Sequence, residues 1–337
     1  MTNLAKMFFL GALLLILGGP AQTQQRDVIV TTDCGADIDD QFAIAYLLLL
    51  PQLHVKGIVT THAPSLPKQA ESSAACVKDV LGRLRLASPP PVFAGSDGPL
   101  NGRSPLHNPG VDFTVNTSGS YSSRNRLVII TIGATTDVAS AFLQDPTLGE
   151  RVEVLTMGFD SWPKGMDPWN IKNDPLAYQV ILDSSAPITI GGTEVCRKHL
   201  ELDDRAAARL LQGHGEFAEW LNTLFQNWVT HNADLVASVV SPQHWVIWDT
   251  VVVAHLLGFT TERTYPRPSL DLGDLSFSFP KTGKTIRWIT SIDQDRLWPD
   301  FVHRLDSLNR AAAKKPGDFA HEDRGDKVSG ATGVNWR

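Results

Sequence analysis

Four aspartates are crowded together near the N-terminus, directly before a long apolar segment. The stretch TTDCGADIDDQFAIAYLLLL, residues 31–50, carries them at Asp33, Asp37, Asp39 and Asp40. Carboxylates this close repel one another, and burying them costs free energy unless a cation or a network of hydrogen bonds compensates. A helix N-terminus favours one or two anions, because its free N–H groups and its dipole attract negative charge. Four acids exceed that number, so the pattern favours a cation site, with a purely structural helix cap as the alternative.

Calcium is the cation that suits this pattern best. The acids do not follow the alternating spacing of an EF-hand loop, but calcium also binds oxygen ligands brought together from distant parts of a chain. Asp33 and Asp40 flank the predicted strand-to-helix turn, so both side chains can reach one ion. Asp249, a lone acid at the start of the apolar run DTVVVAHLLG, is the candidate for a distant third carboxylate. The alternative for Asp249 is that it caps its own helix.

The elements that position these acids alternate between strand and helix. Apolar, β-branched runs predict strands at residues 27–32, 53–62, 90–96, 126–133, 152–158 and 186–192. Helical patterns predict helices at residues 39–50, 68–84, 135–145 and 174–185. This order predicts an α/β fold with an open, mostly parallel, doubly wound sheet and helices on both faces. Ligands of such sheets bind at the carboxyl ends of the strands, where the acids and the later polar turns would meet.

The remaining segments extend this single predicted domain, which we expect to cover residues 26–313. Residues 202–258 predict helices, so the fold should carry extra helices towards the C-terminus. Residues 97–125 are rich in Gly, Pro, Ser and Asn without a clear period, which is typical of a lid over a site or of a surface insertion. Residues 314–337 are polar and Gly-rich, and they predict a disordered tail.

Composition and the N-terminus limit the partners of the chain. The net charge of −6 and the absence of a basic run argue against nucleic acid as a partner. Residues 1–25 resemble a secretory signal, with Lys6 before an apolar stretch that is shorter than the ~20 residues of a spanning helix. An uncleaved membrane anchor is the alternative. We therefore expect a secreted or periplasmic protein without membrane contact after signal cleavage.

The cysteines give no clear pattern. Cys34, Cys76 and Cys196 are an odd number of thiols without a CxxC spacing. In a chain of this size, that count indicates small buried side chains rather than a disulfide framework.

Five segments resemble, in the right order, the inosine–uridine-preferring nucleoside hydrolases. The first is TTDCGADIDDQFAIA, in which Thr31 stands where the family has its first Asp. The others are GIVTTHAPS, IGATTDVASAF, MDPWNIKNDPLAYQVI and WDTVVVA, and together the matches cover roughly residues 27–260. The resemblance implies hydrolysis of the N-glycosidic bond of ribonucleosides, with calcium as the cofactor and a homo-oligomer as a possible assembly.

The resemblance also implies roles for individual residues. Asp33 would be the base that takes a proton from the attacking water. Asp39, Asn170 and Asp249 would hold the 2′- and 3′-hydroxyls of the ribose. The calcium ligands implied by motif position are Asp33, Asp40, the main-chain oxygen of Thr136, and Asp249.

Some positions depart from the family pattern, mainly around the 5′-hydroxyl of the sugar. Pro168 stands in place of the Glu that grips this hydroxyl, and Trp162 lies near where an Asn belongs. Trp248 replaces a His that helps to protonate the leaving base in some members, and Trp169 and Trp248 are candidates to stack on a flat leaving group. For Trp248, a place in the core is the alternative. Ser65 likewise replaces an Asn, and His62 is either an acid or an ordinary loop histidine.

Two alternative functions therefore stay open beside calcium-dependent nucleoside hydrolysis. The same fold could act on a different ribosyl or glycosyl substrate, because the 5′ contacts are lost. The chain could also be a non-catalytic, calcium-dependent protein that binds sugars or nucleosides.

Overall fold

A computed structural model of the chain describes residues 25–167 and 169–313. The predicted signal segment, apart from Gln25, and the predicted tail at residues 314–337 lie outside the described residues. Pro168 lies outside them as well.

The first two-thirds of the described chain alternate between strand and helix, as predicted. The strands are β1 (Arg26–Thr32), β2 (Leu53–Thr60), β3 (Val92–Ala94), β4 (Leu127–Ile132), β5 (Val152–Met157) and β6 (Ile188–Gly191). The helices are α1 (Asp39–Leu49), α2 (Gln69–Leu84), α3 (Pro109–Ser118), α4 (Thr136–Gln144), α5 (Asn170–Asn173), α6 (Pro175–Asp183) and α7 (Thr193–His199).

The later part of the chain adds both helices and strands. The helices are α8 (Asp204–Leu211), α9 (Glu216–His231), α10 (Ala233–Val239), α11 (Thr250–Leu256) and α12 (Gln294–Ala313). The strands are β7 (Glu201–Asp203), β8 (His244–Val246), β9 (Thr260–Pro266), β10 (Ser269–Leu270), β11 (Phe277–Ser278) and β12 (Thr285–Ile292). The helical prediction for residues 202–258 is confirmed except at β7 and β8, which pair with each other in antiparallel orientation.

Eight strands form one central sheet in the order β3-β2-β1-β4-β5-β6-β12-β9. Its pairs are parallel except for β12 with β9, which confirms the predicted mostly parallel α/β sheet. The sequence prediction missed β12 and β9, which extend the sheet after a long crossover. Strand β1 lies between β2 and β4. The chain first runs from β1 to β2 and β3 on one side, and it then returns to β4 on the other side of β1. A crevice for ligands opens at the carboxyl ends of the strands at such a point.

Side chains of β1 alternate between two hydrophobic cores, one on each face of the sheet. Val28 and Val30 pack in the core that contains α1 and α11, whereas Ile29 packs in the core on the opposite face. Because both faces are covered, the strand is apolar throughout, as is typical of a parallel sheet between helix layers.

One interpretation of the cysteines is wrong. Cys34 and Cys76 form a disulfide with a Cα–Cα distance of 5.8 Å, whereas Cys196 is a buried free thiol as expected. The bond joins the acidic loop after β1 to helix α2. The pairing depends on how α2 packs beside that loop, which an odd cysteine count cannot reveal.

The segment at residues 97–125 is an ordered part of the fold. It contains α3, whose first turn is capped by the Asn108 side chain, which accepts hydrogen bonds from the amides of Gly110 and Val111. The amide of Leu100 donates to Asp174 Oδ2 at 2.8 Å, and the Asn108 side chain donates to Asp137 Oδ1 at 2.8 Å. These bonds attach the segment to the sheet edge at several points. Within the described residues, every helix is too short or too polar to cross a membrane.

Candidate active site

The acidic loop between β1 and α1 lies at the carboxyl edge of the central sheet. Thr32, the last residue of β1, is opposite Thr60 of β2 and Ile132 of β4, so Asp33 emerges between two neighbouring turns. The Thr32 hydroxyl donates to Asp40 Oδ1 and accepts a hydrogen bond from the Cys34 amide. The loop is thereby wound around Thr32, which brings Asp40 back towards Asp33.

Asp37 and Asp39 form the start of α1. The Asp37 carboxylate accepts a hydrogen bond from the Asp39 amide at 2.9 Å, and Asp39 Oδ1 accepts one from the Asp40 amide at 3.1 Å. The Asp37 carboxylate thus binds the first amide of α1, although the N-cap residue is Ile38 and no side chain makes a capping hydrogen bond there. The helix-cap interpretation leaves Asp33 unexplained, and it does not account for the burial of Asp39 and Asp40 among other acids.

Asp249 reaches the same place from the start of α11. Its amide donates to Asp39 Oδ2 at 3.2 Å, so the two helix starts share one carboxylate. Asp249 occupies the N-cap position of α11, but its own carboxylate makes no capping hydrogen bond. The Asp249 side chain is buried, and it does not cap its own helix as the alternative interpretation expected.

Three carboxylates of the loop are close enough to share one ion. Ligand oxygens of Asp37, Asp39 and Asp40 all lie within 4.8 Å of one another. The sequence analysis predicted Asp33, Asp40 and Asp249 as carboxylate ligands, and it named Asp37 only as a member of the acidic cluster. The signal for Asp37 was its place within the acidic cluster.

Burial and mutual repulsion raise the pKa values of these acids. Burial, and then the neighbouring Asp37, raise the pKa of Asp33 to about 8. Burial raises the pKa of Asp39 well above its usual value, and Asp249 adds to the effect. Burial raises the pKa of Asp40 as well, and the charge of Asp33 adds to the effect. Burial likewise raises the pKa of Asp249, with a further contribution from Asp40. Without a bound ion, these carboxylates therefore hold protons to a higher pH than ordinary aspartates do, and a cation must compete with those protons.

The donor set fits a hard divalent cation. All the side-chain ligands it offers are carboxylate oxygens, which calcium prefers. Among the described ion pairs, no Lys, Arg or His reaches any of the five acids. Gly133 leaves room for Asp33, because a Cβ there would lie 2.7 Å from Asp33 Oδ1. Buried carboxylates without a cationic partner are what a metal site requires.

Thr136 lies beside this cluster at the start of α4. It is fully buried, and its hydroxyl donates to Asp174 Oδ2 at 2.7 Å. Strand β4 is the neighbour of β1, so its following turn places Thr136 at the same edge as Asp33. The implied role of its main-chain oxygen as an ion ligand stays a prediction.

The turn after β5 contributes Trp169 and Asn170. Asn170 begins α5, and its side-chain amide lies 3.4 Å from the main-chain oxygen of Met157 at the end of β5. Trp169 is 48% exposed, so its ring is available to a ligand. Trp248, by contrast, is only 8% exposed and packs edge-on against Trp245. The structure thus places Trp169 on the surface and Trp248 in the core, and their substrate contacts stay predictions.

Sequence reasoning missed Asp167, a buried acid in the same turn. Its carboxylate accepts hydrogen bonds from the amides of Phe159 and Trp169, at 3.1 and 2.7 Å. Burial raises its pKa to about 6, and its charge in turn raises the pKa of Asp33. Asp167 has φ 152 and Met166 has φ 62, a strained backbone for residues with side chains. Only the neighbouring Asn170 could have drawn attention to it.

The α/β fold described above is the fold of the nucleoside hydrolases. The chain belongs to the inosine-uridine preferring nucleoside hydrolase family, whose family model matches residues 28–299. This finding confirms the resemblance seen in the five sequence motifs.

Individual relatives are distant. The pyrimidine-specific ribonucleoside hydrolase RihA of Escherichia coli strain SMS-3-5 is 25% identical over 210 residues, 53% of this chain and 65% of the relative. The match thus spans slightly less than two-thirds of that relative's length. A probable uridine nucleosidase 1 of Oryza sativa subsp. japonica is 22% identical over 294 residues, 74% of this chain and 87% of the relative.

Solved structures share the fold at low sequence identity. A purine-preferring ribonucleoside hydrolase from Gardnerella vaginalis has a TM-score of 0.70 at 19% identity, covering 85% of this chain and 100% of that one. The type III effector protein XopQ, solved in complex with adenosine diphosphate ribose, has a TM-score of 0.63 at 15% identity, covering 85% of this chain and 94% of that one.

Proposed function

We propose that this chain is a calcium-dependent hydrolase of the N-glycosidic bond of ribonucleosides or related N-ribosyl compounds. The observation that carries the proposal is the group of buried aspartates at the carboxyl edge, which has no cationic partner among the described residues. Membership of the family supports the reaction class.

The ion would be held by carboxylates from two parts of the chain. Asp33 and Asp40 from the acidic loop, Asp249 from α11 and the main-chain oxygen of Thr136 are the proposed ligands, and Asp37 is a further candidate. A bound calcium ion would supply the positive charge that keeps these carboxylates ionised, and it would orient the sugar diol and the attacking water.

The side chains of the site would perform the rest of the reaction. Asp33 would accept the proton of the attacking water, a role for which it must be ionised. Asp39, Asn170 and Asp249 would hold the 2′- and 3′-hydroxyls. As the N-glycosidic bond breaks, positive charge develops on the sugar, and the surrounding carboxylates would stabilise it.

These contacts involve the sugar, so they do not specify the leaving group. Trp169 offers an exposed ring on which a flat base could stack, and stacking does not depend on a particular pattern of hydrogen bonds. Of the relatives, RihA is named for pyrimidine ribonucleosides and the Gardnerella protein for purine ones. A panel of both kinds of nucleoside is therefore the appropriate first screen.

The first alternative is a different ribosyl or glycosyl substrate. The residues implied for the diol are present, whereas Trp162, near where the family has an Asn for the 5′-hydroxyl, stacks on Tyr265 with ring centroids 4.4 Å apart. XopQ, solved with adenosine diphosphate ribose, has the same fold. The second alternative, a protein that binds without turnover, would keep the ion and the diol contacts.

The decisive experiment is a base-release assay with and without calcium. We expect release from at least one nucleoside, its loss in EGTA, and its return when calcium is added. Asp33→Asn should retain most of the substrate affinity but lose turnover, and Asp40→Ala should lose bound calcium and thermal stability. Asp79→Asn, a similar change at an exposed position of α2, is the matched control. Ribose binding with calcium but no release from any nucleoside would instead support the binding protein.

We also propose that the protein is exported. The disulfide between Cys34 and Cys76 supports this, because such bonds persist mainly in oxidising compartments. Mass determination of the protein recovered from medium or periplasm tests it. A mature N-terminus near residue 26 is expected, and retention of residues 1–25 in the cytosol would contradict the proposal.

A further inference from the structure

A buried chain of hydrogen bonds joins three turns at the carboxyl edge of the sheet. His62 follows β2, Thr136 begins α4, and Asp174 caps α6. His62 Nε2 lies 3.0 Å from Thr136 Oγ1, which in turn lies 2.7 Å from Asp174 Oδ2. All three residues are at least nine-tenths buried.

The direction of these hydrogen bonds follows from the chemistry of their partners. Both Asp174 oxygens also accept main-chain amides, Oδ2 from Leu100 at 2.8 Å and Oδ1 from Ala177 at 2.9 Å, as an ionised carboxylate does. The Thr136 hydroxyl must therefore give its only hydrogen to Asp174. It follows that Thr136 Oγ1 accepts the remaining bond, and that His62 donates it from Nε2–H.

With its hydrogen on Nε2, the His62 ring is a donor towards Thr136. The sequence offered only two interpretations of His62, an acid or an ordinary loop histidine, and the hydrogen-bond chain gives it a third.

We propose that His62 is a positioning residue that holds Thr136, and with it the main-chain oxygen proposed as an ion ligand, in place against Asp174. The inference rests on the proposed calcium site. A threonine hydroxyl near a helix start can otherwise form hydrogen bonds with nearby main-chain groups. Here it is held from both sides, so the start of α4 is fixed relative to the turns after β2 and before α6.

Removing the donor should weaken calcium binding in a folded protein. His62→Ala leaves Thr136 with one partner, and the loss of one neutral hydrogen bond should lower calcium affinity about 2- to 10-fold. His62→Gln places an N–H donor at a similar reach, so it should restore most of the affinity. His54→Ala, at the opposite end of the same strand and exposed, should leave the affinity unchanged. Isothermal titration with calcium measures these affinities, and circular dichroism melts report the folded state.

A second pair of variants tests whether the effect passes through Thr136. Thr136→Val removes the hydroxyl and keeps the shape of the side chain, whereas Thr136→Ser keeps the hydroxyl. We expect Thr136→Val to weaken calcium binding at least as much as His62→Ala does, because it also breaks the bond to Asp174. The His62→Ala/Thr136→Val double variant should lose no more affinity than Thr136→Val alone. If His62→Ala fails to fold, His62→Leu takes its place in the comparison with His62→Gln, because leucine fills the buried position but offers no hydrogen-bond donor.

The outcomes separate this inference from the proposed function. A wild-type protein that binds calcium, with a folded His62→Ala variant that binds it equally well, overturns the role of His62 alone. Failure of His62→Gln to restore affinity in a folded protein does the same. A wild-type protein that binds no calcium overturns the proposed function, and this inference with it.

Discussion

The disulfide between Cys34 and Cys76 gives a prediction whose size follows from the chain itself. The bond closes a loop with a sequence separation of 42 residues. By loop-closure entropy, a loop of this length stabilises the folded state by about 4 kcal/mol relative to the open chain. The unfolding entropy of a domain of about 290 residues is roughly 0.6 kcal/mol/K, so reduction should lower the melting temperature by about 6–7 °C.

Two measurements test this prediction. Thiol titration in denaturant should find one free thiol, Cys196, in protein folded under oxidising conditions, and three after reduction. Calorimetric melts with and without a phosphine reductant should then give the difference in melting temperature. The double variant Cys34→Ala/Cys76→Ala is the matched control, because the reductant should leave its melting temperature unchanged.

The bond should also affect the acidic loop directly. Cys34 follows Asp33, and its amide donates to the Thr32 hydroxyl that holds Asp40. We therefore expect the reduced protein to bind calcium more weakly than the oxidised protein at the same temperature. Three free thiols in the oxidised protein, or identical melts in both redox states, would refute the reasoning.

Three further predictions concern the site. Burial raises the pKa of Asp33 to about 8, whereas the pKa of an aspartate in an unfolded chain is about 3.9. The protonated Asp33 side chain therefore contributes to the stability of the calcium-free protein below pH 4, and this contribution is lost as the pH rises to 8. Melts should therefore show that calcium raises the melting temperature more at pH 8 than at pH 5. Gly133→Ala should displace Asp33 and abolish base release, because the new Cβ would lie 2.8 Å from the Asp33 amide nitrogen. Its control is Gly82→Ala on α2, where a Cβ would meet open space, and this change should be neutral or stabilise the fold by about 1 kcal/mol. Trp169→Ala should change stability by less than about 0.5 kcal/mol but raise KM about 2- to 10-fold, and an unchanged KM would remove the stacking role.

Local pattern was enough to predict the part of the fold that carries the acids. The apolar strand at 27–32 and the apolar helix after it fix where Asp33 and Asp40 emerge, and the structure places both as the alternation required. Asp249 was found because a lone acid beside an apolar run is costly without a partner. Its partner, Asp39, lies 210 residues away in sequence, and only the packing of α11 against α1 brings the two together.

The missed features depend on tertiary contacts or on weak local signals. Helix α3 has few apolar positions, and its start was marked instead by the Asn108–Pro109 pair, a capping signal that periodicity overlooks. Strands β12 and β9 join the sheet after a crossover that no local pattern specifies. The burial of Asp167 depends on the turn after β5, whose main-chain amides surround its carboxylate, and no local pattern in the sequence indicates this.

The turn after β5, where the sequence departs from the family pattern at Trp162, packs against other parts of this chain. Trp162 stacks on Tyr265 and contacts Phe277, and the Met166 amide donates to the main-chain oxygen of Leu275 at 2.6 Å. The turn after β5 is therefore docked on the β10–β11 hairpin. The acids differ from this turn, because they are buried together without a cationic partner among the described ion pairs. Under the proposed function, removing one of these carboxylates would leave the others around an incomplete ion site, which costs free energy. We therefore expect substitutions of the acids to be far less tolerated than substitutions in the turn after β5.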